Sequence, residues 1–142
     1  MFNNSEQCCG IVKNTDKLCS VKCNNGYFYC QYHYKQKGDV DKFKKSVSNF
    51  VQWIKNENTK EQKILISKRM FDFCVYNKCL INTMQPLKNQ LLKKIEEFSK
   101  TDKSFEYYLD EKIWENNNVQ QKKVFIKLEN PIVISTNDFI TI

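Results

Sequence analysis

The chain predicts an α+β protein: a small N-terminal zinc-binding module, a four-helix body and a C-terminal β-hairpin or short meander. Three observations predict it. Five of the seven cysteines and the only histidine crowd into residues 8–33. Apolar residues then recur every three or four positions through four stretches, the mark of helices with one buried face. From Gln121 the apolar period changes to two, the mark of strands. Residues 1–35 are accordingly assigned to the metal module, and 36–142 to the helical body with its strands. A chain of 142 residues suits one domain carrying a mini-module. Its 41% apolar and 13% aromatic content suffices for a core.

The metal reading rests on spacing. Nine residues separate Cys9 from Cys19, ten separate Cys19 from Cys30, and two separate Cys30 from His33. Three thiolates and one imidazole are the donor set of a structural zinc ion, and four protein ligands leave no position for water or substrate. The predicted ligands are therefore Cys9, Cys19, Cys30 and His33, holding one structural Zn2+. Cys30 and His33 fall within one turn of chain. Cys9 and Cys19 are brought to them by a reversal at Asn14-Thr15-Asp16-Lys17, a run of turn formers. Cys8 and Cys23 are spare thiols, and the residues alone leave a shift of register from Cys9 to Cys8 open. Cys9 is preferred because it directly precedes Gly10, a ligand followed by a turn. A disulfide framework fits less well, given an odd cysteine count, no signal peptide and a lysine-rich body.

This Cys, Cys, Cys, His order resembles the module of plant growth-regulating factors named for a Trp-Arg-Cys run. It also resembles short finger-like segments in proteins of large DNA viruses, where an aromatic-Cys-x-x-His ending closes the unit as Tyr29-Cys30-Gln31-Tyr32-His33 does here. The resemblance covers about residues 8–34 and implies a zinc module, in the plant family a DNA-binding one. The chain has Lys17-Leu18 where the plant module has Trp-Arg, and Asp16 where the viral segments usually carry a glycine.

The net charge of +7 is attractive to phosphate backbones. Only Arg69 of the 23 basic residues is an arginine, and the abundant lysine, asparagine, isoleucine, phenylalanine and tyrosine are those that AT-rich codons specify. Lysine lacks the planar fork that reads guanine edges, so any nucleic-acid partner is expected to be met through backbone contacts. No run of about 18 apolar residues predicts a membrane span. The start, Met1-Phe2-Asn3-Asn4-Ser5-Glu6, lacks the basic and apolar regions of a secretion signal. The expected location is an intracellular, reducing compartment, the host cytoplasm or nucleus for a viral protein.

The helices follow in order. Asp39 or Asp41 caps the first, with Val40, Phe43, Val47, Phe50, Val51 and Ile54 on one stripe. Thr59-Lys60-Glu61-Gln62 reads as a capping box opening a second helix to about Asn82. Its apolar richness (Ile64, Leu65, Met70, Phe71, Phe73, Cys74, Val75, Leu80) places it centrally. Cys74 and Cys79 read as buried small side chains. Pro86 suits the first turn of a third helix carrying Leu87, Leu91, Leu92, Ile95 and Phe98. A fourth, capped by Asp102 or Ser104, uses Phe105, Tyr108, Leu109 and Ile113, with core packing favoured over base stacking for its aromatics. Val124, Ile126 and Leu128 then alternate with charged residues. Asn130-Pro131 turns into Ile132-Val133-Ile134, and Phe139-Ile140-Thr141-Ile142 ends the chain.

Two functions follow from these readings. The first is a non-enzymatic, zinc-containing binding protein, an accessory factor associated with nucleic acid in a large DNA virus. The second is a subunit of a larger assembly, with zinc only stabilising the fold and a protein partner docking on the C-terminal strands. An enzyme is not expected, and neither is a small-molecule substrate. The histidine is committed to metal, no glycine-rich phosphate loop exists, and neighbours such as Glu96-Glu97 and Asp110-Glu111 diverge around a helix.

Overall fold

Residues 6–24 and 26–116 are described in a computed structural model. An irregular N-terminal hairpin runs into a 3-10 turn at Tyr34–Gln36. Four helices follow: α1 (Val40–Asn56), α2 (Lys60–Tyr76), the single turn α3 (Lys78–Ile81) and α4 (Gln85–Ser99). Two more 3-10 turns follow, Lys103–Leu109, which packs along α4, and Glu111–Trp114.

The helix starts obey their sequence signals. The Asp39 carboxylate accepts the Lys42 backbone N–H at 3.1 Å, and the Thr59 hydroxyl accepts that of Gln62 at 3.2 Å. Pro86 occupies the first turn of α4. On α1 the stripe buries Phe43, Val47, Phe50 and Ile54, while Val40 stays outside it.

α2 is central because it is buried on two sides. Phe73 lies against Phe43 (5.4 Å between ring centroids) and Phe50 (6.3 Å) of α1, and against Tyr29 (5.8 Å) and Phe28 (6.1 Å) of the N-terminal segment. Two residues earlier, Phe71 meets a second aromatic group made by Phe98 of α4 with Phe105 and Tyr108. Those last aromatics are core residues, with Phe105 fully buried and Tyr108 nearly so.

Four expectations need correcting. The second helix does not run to Asn82: it stops at Asn77, whose side chain donates to the Phe73 carbonyl at 2.9 Å while its backbone N–H goes to Phe73 and Cys74. Asparagine offers the chain this alternative to helix continuation, and the chain restarts as α3. The fourth helix is not α-helical, because Asp102 and Asp110 each cap their own short turn, accepting from Ser104 and Lys112 at 2.9 and 3.0 Å. Nor does the described body have the α+β class. Among the described residues there is no strand or sheet, only the isolated antiparallel bridges Gln7–Lys22 and Ile11–Leu18, and apolar surface is buried helix against helix. The C-terminal β-hairpin or meander falls on residues 121–142, outside the described residues. Cys74 is buried as expected, but Cys79 is exposed and its thiol donates to Asn116 Oδ1 at 3.3 Å. No helix among the described residues is long and apolar enough to cross a membrane.

Candidate metal centre

The hairpin forms where the turn residues predicted it. The Val12 N–H donates to Lys17 O at 2.8 Å and the Asp16 N–H to Val12 O at 2.9 Å, closing the reversal. Pairing continues from Cys19 N to Gly10 O at 2.9 Å and from Cys8 N to Val21 O at 3.0 Å. Asp16 has φ +55°, the left-handed conformation that glycine or a short polar residue tolerates. α1 holds it there: Asn49 donates to the Asp16 carbonyl at 3.0 Å, and Lys45 pairs with its carboxylate at 3.2 Å.

A third segment completes the group. Cys9 N–H donates to Phe28 O at 2.8 Å, laying the Tyr29–Cys30 stretch beside the first. The turn from Cys30 to His33 closes through His33 N–H to Cys30 O at 3.1 Å. Cys8, Cys19, Cys30 and His33 then converge, with all four donor atoms within 4.8 Å of one another. Cys30 Sγ lies 3.3 Å and Cys8 Sγ 3.8 Å from His33 Nδ1, and Cys19 Sγ lies 3.9 Å from Cys30 Sγ. A tetrahedral ion with bonds of about 2.0–2.3 Å sets its donors about 3.5–3.8 Å apart, so this group could hold a metal ion.

Cys9 is the correction. Its thiol faces the helical core, fully buried, in the cluster that includes Phe43 and Phe73. The cause is the alternation of extended chain, which sends successive side chains to opposite faces. Cys9 lies in the helical core, while Cys8 and Val12 lie with the sulfur cluster and the open side of Gly10 faces His33. The spacing of the four donors is therefore ten, ten and two residues, one longer in its first gap than the spacing expected with Cys9. Cys23 is buried beside the group but is not among the four.

Gly10 matters for a different reason than turn flexibility. A Cβ there would stand 2.6 Å from His33 Cγ, so the imidazole occupies the space a side chain would take. Backbone N–H groups point at the sulfurs: Gly10 and Cys30 donate to Cys8 Sγ at 3.3 Å each, and Val21 to Cys19 Sγ at 3.4 Å. Burial raises the Cys8 and Cys19 thiols above their ordinary range, and these amides oppose it. A bound cation would hold these sulfurs as thiolates, the charged form that the preset amides favour.

The residues that seat this centre on the helices were not foreseen. The sole arginine, Arg69 of α2, is buried and donates from Nε and Nη2 to Gln7 O at 2.9 and 2.7 Å, and from Nη2 to Tyr27 O at 2.8 Å. Its guanidinium also lies 4.6 Å from the Phe28 ring, which stacks on Tyr76 at 4.7 Å, and Lys37 lies over Tyr76. Gln36 brackets Ile11, donating to its carbonyl at 2.9 Å and accepting its N–H at 2.8 Å. Ser46 of α1 donates to Cys9 O at 2.6 Å. The only signal in the sequence was the singularity of the arginine.

Searches against family models, curated proteins and solved structures return no match to this chain.

Proposed function

We propose that this is a non-enzymatic protein built on one structural zinc ion, held by Cys8, Cys19, Cys30 and His33, which associates with nucleic acid through its N-terminal half. The donor set supports zinc: three sulfurs and one nitrogen suit a borderline-soft divalent ion without geometric preference of its own. Four protein donors fill a tetrahedral sphere, which favours a structural role. An accessory role in a large DNA virus rests on the resemblance of residues 8–34 and on the AT-type composition.

The observation that carries nucleic-acid association is where the charge lies. Residues 1–56 hold nine lysines against four carboxylates, a net of +5. Residues 57–116 hold eleven cations against ten carboxylates, a net of +1. Three thiolates and a divalent ion would subtract one from the N-terminal half and leave it strongly cationic. Arg69 is spent on the junction, so the free cations are lysines, which meet phosphates as point charges rather than reading bases.

Two experiments test the two parts. Metal analysis of Cys8→Ser should find the ion lost, while Cys9→Ser should retain one per chain and lose only stability; the reverse pattern would move the site to Cys9. Fluorescence anisotropy with labelled DNA at about 50 and 200 mM salt should show binding that weakens steeply with salt. No binding at the lower salt would end the nucleic-acid reading.

A further inference from the structure

We propose that the outer face of the metal module binds single-stranded nucleic acid, with unpaired bases stacking on Tyr27, Tyr32 and Tyr34. The proposal rests on the nucleic-acid reading above and narrows it. These rings are 62%, 74% and 61% exposed, among the largest apolar exposures on the described surface. With Tyr29, Val21 and Lys22 they line a concavity of about 440 Å3 over the ligand Cys30, room for a planar base.

The backbone beneath these rings is held by hydrogen bonds. Tyr32 lies inside the Cys30–His33 turn that supplies two metal ligands. Tyr27 hangs from a carbonyl fixed by Arg69. Tyr34 opens the 3-10 turn whose Gln36 is bonded on both sides to Ile11. Three rings on a backbone already ordered bind with less loss of freedom. None of the three packs on another ring or cation among the described residues.

Charge selects the occupant. The lining of this concavity carries Lys22, paired with Glu6 just outside it at 3.0 Å, and no carboxylate of its own, while Lys35 and Lys37 follow in the chain within a segment of net positive charge. Another concavity, about 640 Å3 at the α4 end, is lined by Glu96, Glu111 and Glu115 against Lys88 alone, a net negative charge that would repel phosphates. In a duplex the base faces are already stacked and unavailable to a tyrosine ring, whereas a single strand offers them to any aromatic surface without regard to sequence.

The test uses the full metal-loaded chain, a labelled ~15-nucleotide strand and the matching duplex at about 50 mM salt. The single strand should bind more tightly than the duplex. Tyr27→Ala, Tyr32→Ala and Tyr34→Ala should each weaken it at least about fivefold, and the corresponding Phe variants, which keep the ring, should bind as the natural chain does. Circular dichroism and metal content of each variant separate a lost platform from a lost fold. Equal or tighter binding of the duplex, or Ala variants that are folded and unimpaired, would overturn the stacking proposal and leave the broader reading standing. Failure of both strands to bind would end both.

Discussion

Replacing Arg69 with lysine keeps the charge and removes the fork, which makes it the sharpest probe of how the metal module is attached. Arg69 serves two carbonyls of separate segments, Gln7 O twice and Tyr27 O once, from one rigid plane. A lysine ammonium on a single stem can reach one of them. The other is left as an unpaired acceptor, costing about 1–3 kcal/mol. Loss of the planar contact on Phe28 adds about 0.5–1 kcal/mol. Arg69→Lys should therefore lower stability by about 1.5–4 kcal/mol, a large share of the 5–15 kcal/mol typical of a domain. Urea denaturation of metal-saturated protein, followed by circular dichroism, measures it as a shifted midpoint at unchanged slope. A loss below about 1 kcal/mol would refute the claim that the fork is what matters. Loss of nucleic-acid binding at unchanged stability would make Arg69 a ligand-binding residue instead.

Gly10→Ala should displace the His33 ring and weaken metal binding by about 10- to 100-fold, read by competition with a chromophoric chelator; Gly38→Ala, at φ +84° with open space around it, should strain the chain without touching metal affinity. Phe73→Ala should cost about 3–5 kcal/mol in chemical denaturation because it empties the junction of α1, α2 and the N-terminal segment, whereas Tyr107→Ala, an exposed ring, should stay within about 0.5 kcal/mol of the natural chain. Chelation should release the hairpin but spare most of the helix, so backbone amides of residues 8–33 should exchange rapidly while far-ultraviolet ellipticity falls only in part; total loss of helix would show that the ion holds the whole fold.

How far the sequence could be read depends on the range of the interaction. Local signals were legible: the caps at Asp39 and Thr59, Pro86 in the first turn of α4, the reversal at Asn14–Lys17 and the burial of α2. Three of the four donors that could hold a metal ion were also legible, because sulfur and imidazole spacing is a strong constraint. The fourth was missed by one position although its signal was present. Cys9 and Ile11 are both apolar and two apart, so alternation assigns them together to the core and turns Cys8 outward to the ion. The Asn77 break was harder, since an asparagine costs a helix little unless its side chain finds the Phe73 carbonyl. The fourth helix failed for a similar reason: Asp110 looks like a surface residue of a continuing helix until it caps a new turn. Arg69 could not be placed at all, because its partners lie 42 and 62 residues away.

The adjacent thiols at positions 8 and 9 act as a lock against slippage. One belongs to the candidate metal group and its neighbour to the greasy interior, so sliding this segment by a single residue would exchange them, pulling a sulfur out of that group and thrusting the other out of the hydrocarbon. Neither mistake can be made without the other, and the alignment of the whole amino-terminal hairpin is thereby checked twice at one point along the chain.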